Sequence, residues 1–263
     1  MAHLLIKFGG GLITDKSAMK TLDSEAIGRL AKMTQQLLAG GHSVTVVHGA
    51  GSFGHLKAKQ WRIAQGADES ILTDQILAVD SIRQDMRELN SVLCQALEEF
   101  DIQTRSLPPS TWARETGPTF SGSLTQFSNS PQEVVVLTFG DAVDCDPPKR
   151  FGILSGDDLM VRIALEIPTI THCIFLLGDT EGLLSGPPSE PSAQLIPHWQ
   201  PFLSISGEHD TSQDVTGGIF LKLESAAMIA EKIENVWLLD GRLPERVLEL
   251  VENGSTRGTR ITL

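Results

Sequence analysis

The sequence predicts an α/β protein with a largely parallel central sheet covered by helices on both faces. Three observations carry this. Short apolar runs recur at residues 4–8, 44–47, 134–138, 173–177 and 236–239, of the kind that strands covered on both faces require. Stretches with helical spacing of apolar residues alternate with them, which is the pattern of a doubly covered sheet. Glycine-bearing segments fall where strands should end or helices begin, and in such sheets ligands bind at the carboxyl ends of the strands.

In chain order, residues 4–8 form a strand stopped by Gly9, Gly10 and Gly11. Residues 23–39 form a helix on the spacing of Ile27, Leu30, Ala31, Leu37 and Leu38, with Asp23 or Ser24 as its cap and Gly40 and Gly41 ending it. The strand at 44–47 runs into a glycine loop, HGAGSFGH, at 48–55. Residues 70–99 are mainly helical, with Ile76, Val79, Ile82, Met86, Leu89, Val92, Leu93 and Leu97 on one broad face. A strand at 102–106 precedes a stretch at 107–131, rich in Pro, Ser, Thr and Gly, that reads as loops or a small excursion. After the strand at 134–138, FGDAVDCDPPKRFGILSGDDL reads as a hairpin leading into a helix at 156–166. The strand at 173–177 is followed by residues 178–213, with five prolines and little periodicity. A loop of that length is usually functional or mobile. A helix begins near Gly218, and a strand at 236–239, a helix at 244–251 and a strand at 259–263 close the chain. With no internal repeat and no clean linker, the expectation is one domain over residues 1–263, with two lobes around one cleft.

Composition bounds the function. The chain has 263 residues, 41% of them hydrophobic, enough for a large core. A formal net charge of −12 argues against a nucleic-acid surface. An anionic substrate therefore has to be received by a local cluster of cations. Cys94, Cys145 and Cys173 lie far apart with no C-x-x-C pair, so neither a zinc site nor a disulfide framework is indicated. No apolar run approaches the roughly 20 residues of a membrane span, and the N-terminus lacks the pattern of a signal peptide. The expectation is a soluble cytoplasmic protein with no membrane partner.

Four glycine segments stand out: KFGGG (7–11), HGAGSFGH (48–55), LSGDD (154–158) and DVTGG (214–218). Each alone is consistent with a simple turn, but four in one α/β chain point to backbone N–H groups cradling phosphate. Gly49, Gly51 and Gly54 spell G-x-G-x-x-G, the dinucleotide-binding fingerprint. That reading fails on position. The fingerprint belongs to the first βαβ unit, and the acidic residues about 20 positions on, Glu69 and Asp74, sit in or beside a helical stretch. No P-loop motif occurs.

The cations carry more. Lys7 ends an apolar strand immediately before a glycine turn, where it either snorkels to a rim or points into a site. Lys16 lies in the loop LITDK, as a solvated side chain or a ligand. Lys222 sits in the first turn of the helix after Gly217 and Gly218, where it opposes the helix dipole unless an anion is bound. His48 reads as structural, holding the turn, whereas His55 is placed to donate to a phosphate. Asp157 opens a helix and either caps it or holds lysines in place. Ile82 and Met86 are candidates for an apolar slot wall or for plain core.

The order LIKFGGGLITDK, VVHGAGSFGH, ILSGDD, DVTGG…K and GSTRGTRI resembles the isopentenyl phosphate kinases of the amino-acid-kinase superfamily, over essentially the whole chain. The final histidine of HGAGSFGH marks the phosphate-accepting branch. The chain departs at Gly11, where the family usually has Ser, and at GDTEG (178–182), where it reads close to TDVDG. The resemblance implies an open, three-layer αβα sandwich, transfer of the ATP γ-phosphoryl group to isopentenyl phosphate in isoprenoid precursor synthesis, Mg²⁺ and a homodimer. It implies that Lys7, Lys16 and Lys222 contact the nucleotide phosphates and the transferring group, with Gly9, Gly10, Gly51 and Gly217 as backbone partners. Ala50, Gly51, His55 and Gly156 would bind the acceptor phosphate. Asp157 would orient lysines, and Asp179 and Gly182 would lie by the nucleotide. The alternatives are a related phosphate or phosphonate kinase such as a fosfomycin kinase, which needs a more polar slot, and a non-catalytic nucleotide sensor on the same fold.

Overall fold

The structure, a computed structural model, describes residues 1–15, 20–201 and 218–263. The chain runs β1 (His3–Phe8), α1 (Gly10–Ile13), β2 (Thr14–Asp15), β3 (Thr21–Leu22), α2 (Ser24–Ala39), β4 (Ser43–His48), α3 (Gly51–Gln60), α4 (Leu72–Glu98) and β5 (Gln103–Ser106). It continues through β6 (Ala113–Arg114), β7 (Ser121–Gly122), α5 (Thr125–Ser128), β8 (Val134–Phe139), β9 (Asp141–Asp144), β10 (Phe151–Leu154) and α6 (Gly156–Glu166). The last elements are β11 (His172–Leu177), β12 (His198–Trp199), α7 (Gly218–Ala230), β13 (Asn235–Asp240), α8 (Glu245–Asn253) and β14 (Thr259–Ile261).

Among the described residues, eight strands form the main sheet in the order β12-β14-β13-β11-β1-β4-β8-β5. Its pairings are parallel except for β13 with β14. Alternation along each strand assigns its residues to the two faces. In β1, Leu4, Ile6 and Phe8 join a core with α2, α3, α4 and α8, while Leu5 joins a second core with α6 and α7. The result is the three-layer αβα sandwich expected. Among the described residues, no helix is long and apolar enough to cross a membrane.

The helix ends follow local chemistry. Asp23 caps α2 by accepting from the Ala26 N–H at 2.9 Å. Ser155 caps α6 in a capping box with Asp158. Gly254 ends α8 at φ +74°.

Four segments differ from expectation or gain detail. HGAGSFGH is a loop only as far as Ala50, because Gly51 opens α3. Its glycines are poor helix formers, and tertiary contact overrides that preference. The 107–131 excursion contributes β6 and β7 to a four-stranded sheet, in the order β10-β9-β6-β7, with the predicted hairpin. That sheet docks on α4 through Arg83, which donates to the Ala142 carbonyl at 2.8 Å and pairs with Asp144 at 2.7 Å. On α4 itself the buried face holds Ala78, Asp85 and Asn90, whereas Ile76 is 42% exposed and Val92 half-buried. The described part of 178–213 holds β12 and a bridge between Leu184 and Leu195.

Candidate active site

A cavity of about 1290 Å³ opens at the carboxyl ends of β1, β4, β8 and β11. Typical small-molecule sites run to roughly 300–1,000 Å³, so this volume suits two ligands side by side. Two glycine turns form its floor. Gly9 donates to the Leu176 carbonyl at 3.1 Å, and Gly49 donates to the Phe8 carbonyl at 2.9 Å. The turns then touch backbone to backbone. A Cβ on Gly10 would lie 2.4 Å from Gly51 N, and one on Gly49 would lie 2.6 Å from Gly10 N. Gly51 is also left-handed, at φ +49°. The G-x-G spacing therefore exists because two loops share one place.

Thr14 joins them. Its hydroxyl donates to the Gly10 carbonyl at 2.8 Å and accepts from the Ser52 N–H at 3.0 Å. Ser52 sits in the first turn of α3, whose N-cap residue, Ala50, has no side-chain oxygen to offer. Thr14 supplies the missing acceptor from 38 residues away. No motif rule pointed to it.

Strand parity decides where Lys7 goes. It shares a face with Leu5, toward α6, and its ammonium pairs with Asp157 at 2.5 Å with both side chains 7% exposed. Asp157 is thus a partner for a lysine, and the cap of α6 is Ser155 instead. Gly156 makes room, since a Cβ there would lie 3.2 Å from Lys7 Cε.

His48 has the opposite parity and points toward α4. Its Nδ1–H donates to the Gly49 carbonyl at 3.1 Å, and Nε2 lies 3.2 Å from the Asn90 side-chain amide. Burial pushes its pKa down to about 4, so the ring is neutral. Asn90 reaches on to Ser106 on β5 at 2.7 Å. The structural reading of His48 holds.

His55 lines the cavity one turn into α3, with Ala50, Gly51 and Gly54. Ile82 and Met86 line the cavity from α4 and also belong to the core. Gly54 lets the helices close, because a Cβ would stand 3.3 Å from Met86 Sδ. Asp141, the first residue of β9, accepts from Ser110 N and Ala142 N, and burial raises its pKa.

At the other end the cavity is lined by Asp179, Gly182 and Lys222. Lys222 lies one turn past the start of α7, not in its first turn, and its ammonium donates to the Gly218 carbonyl at 3.3 Å. Lys16 and Gly217 lie outside the described residues. The hairpin of β2 and β3 brackets Lys16. Lys20 pairs with Asp85 at 2.7 Å and Glu88 at 2.8 Å.

The amino acid kinase family matches residues 3–240. The isopentenyl phosphate kinase of Thermoplasma acidophilum is 31% identical over 246 residues, 93% of this chain and 94% of that one. That of Methanothermobacter thermautotrophicus is 29% identical, with 98% of both chains covered. A solved isopentenyl phosphate kinase structure superposes with a TM-score of 0.84 at 25% identity, covering 99% of this chain and 100% of that one. With the family matched over most of its length and relatives of near-equal extent, the chain belongs to the amino acid kinase family and, within it, to the isopentenyl phosphate kinases.

Proposed function

We propose that this chain transfers the γ-phosphoryl group of ATP to isopentenyl phosphate, giving isopentenyl diphosphate and ADP. The observation that carries the reading is the contact of two glycine turns beside a buried lysine in one cavity large enough for both substrates. The acceptor is a phosphate monoester, anionic near neutral pH, and has no proton that a base must remove. The barrier is instead the approach of two polyanions, and catalysis is mainly alignment and charge stabilisation.

Lys7, held by Asp157, and Lys222 stabilise the charge on the transferring group, with N–H groups of Gly9, Gly10 and Gly51. Ala50, His55 and Gly156 receive the acceptor phosphate, and its five-carbon tail lies along Ile82 and Met86. At roughly 0.8 kcal/mol per buried CH₂ that tail is a modest anchor. Asp179, Gly182 and Gly217 belong to the nucleotide side, and Lys16 is assigned to contact the phosphates. Mg²⁺ characteristically takes one or two carboxylates together with substrate phosphates. Asp179, which lines the cavity, would be that carboxylate, and the ion when bound would neutralise nucleotide charge. The working unit is taken as one domain with two lobes, a cytoplasmic homodimer.

A coupled ADP-release assay should compare isopentenyl phosphate, dimethylallyl phosphate, fosfomycin, acetylglutamate and UMP. The highest kcat/KM is expected for isopentenyl phosphate. A better rate with UMP or acetylglutamate would overturn the reading.

A further inference from the structure

Thr14 is buried and lines the cavity, yet the reaction above gives it no role. Its hydroxyl hydrogen is committed to the Gly10 carbonyl at 2.8 Å, so it is not available to a phosphate oxygen. One lone pair is committed to the Ser52 N–H at 3.0 Å. The two bonds end on different glycine turns, one following β1 and one opening α3. The fit is tight, since a Cβ on Gly51 would lie 2.0 Å from Thr14 Oγ1. Ser52 is itself tied to the next strand, where Thr21 N donates to Ser52 Oγ at 3.3 Å.

We propose that Thr14 is a positioning residue whose hydroxyl fixes the glycine turn of the donor phosphates against that of the acceptor phosphate. It thereby sets the separation of the reacting groups. The proposal rests on the phosphotransferase reading above. Gly9 is tied to Leu176 and Gly49 to Phe8 where the strands end, so each turn keeps its place, and its own ligand, without Thr14. What Thr14 adds is a second tie between the turns, beyond the strand ends, which fixes their register where the two ligands meet. Displacements of about 1 Å in such a site cost up to roughly 100-fold in rate.

The test compares Thr14→Val, which keeps the shape and removes both bonds, with Thr14→Ser, which keeps the hydroxyl. Kinetics with MgATP and isopentenyl phosphate are measured beside the melting temperature and the folded fraction. For Thr14→Val, kcat per folded molecule should fall roughly 10- to 100-fold. Both KM values should stay within about threefold, and Thr14→Ser should recover most of the rate. If Thr14→Val does not fold, Thr14→Ala removes the same bonds with less bulk and carries the test. A lowered melting temperature with unchanged kcat per folded molecule would overturn the proposal and make Thr14 purely structural. A rise in one KM alone would also overturn it, placing Thr14 with a single ligand. A wild-type chain that does not turn over isopentenyl phosphate would overturn the substrate reading, and the proposal with it.

Discussion

The two ends of the cavity are built differently. At the end where the two glycine turns meet and the acceptor is proposed to bind, backbone packs on backbone, and the nearest neighbours of Gly10, Gly49 and Gly51 are main-chain atoms or the Thr14 hydroxyl. At the proposed nucleotide end, side chains do the holding. Thr180 Oγ1 donates to the Gly182 carbonyl at 2.8 Å, and Thr259 Oγ1 accepts from Leu183 N at 2.8 Å. Arg242 closes on the Asp240 carboxylate at 2.8 and 2.7 Å. A Cβ on Gly182 would meet the side chains of Thr259 and Leu195, and one on Gly218 would meet nothing within 4 Å among the described residues. Backbone contact leaves no atom free to yield, whereas side-chain contact can give way by rotation. The first end should therefore fail abruptly on substitution and the second by degrees.

The largest effect is expected where both ends depend on one side chain. Lys7→Met should lower kcat by about 10³-fold. It should also destabilise the fold by roughly 3–5 kcal/mol, because Asp157 loses its cation in a buried setting. Adding Asp157→Asn should restore the melting temperature without restoring turnover. A Lys7→Met enzyme with normal kcat would remove Lys7 from the chemistry.

Next is a direct test of the contrast, because Gly51 and Gly218 have similar left-handed φ, +49° and +63°. Gly51→Ala carries both the strain and the clash with Thr14, and should cost about 3 kcal/mol or more in denaturant unfolding. Gly218→Ala carries the strain alone, roughly 1–2 kcal/mol. Equal losses would show that conformation, rather than loop contact, accounts for these glycines.

His48 adds a pH limb specific to the acceptor end. Its folded pKa of about 4 lies below the ordinary value of 6.5, so the unfolded chain binds a proton more readily between those values. Its contribution is complete above pH 6.5 and is lost as pH falls toward 4, by about 3 kcal/mol in total. Unfolding free energy measured across that window should show this slope, and His48→Gln should flatten it. A wild-type curve with the same slope as His48→Gln would refute the assignment.

The smallest effect is expected at His55. Replacing it with Ala removes a charge-assisted bond of about 1.5–3 kcal/mol, or roughly 10- to 100-fold in acceptor kcat/KM. His55→Gln should recover part of this, and ATP Kd should be unchanged in both. An ATP defect with normal acceptor kinetics would assign the turn at 48–55 to the nucleotide instead.

Much of this was legible in the sequence, because short-range rules govern it. The strand at 44–47, the cap at Asp23 and the hairpin before 156 each depend on residues within a few positions of one another. Glycine spacing was visible too, and so was the cluster of cations that a chain of net charge −12 needs to receive an anion. The alternation of β1 even implies that Lys7 and Leu5 share a face.

Tertiary structure decided what lies on that face. Asp157 reads equally well as a helix cap until β1 and α6 are brought together and Ser155 takes the capping role. The short helix at Gly51–Gln60 is hidden from periodicity by its own glycines, whose purpose is contact with Gly10 and Met86. Thr14 sits among apolar neighbours in LIT and carries no local signal, since its partner Ser52 is 38 residues away. Propensity, capping and period act between neighbours in sequence, so one chain suffices to read them. Register between two loops is set by atoms that approach only after the sheet has formed.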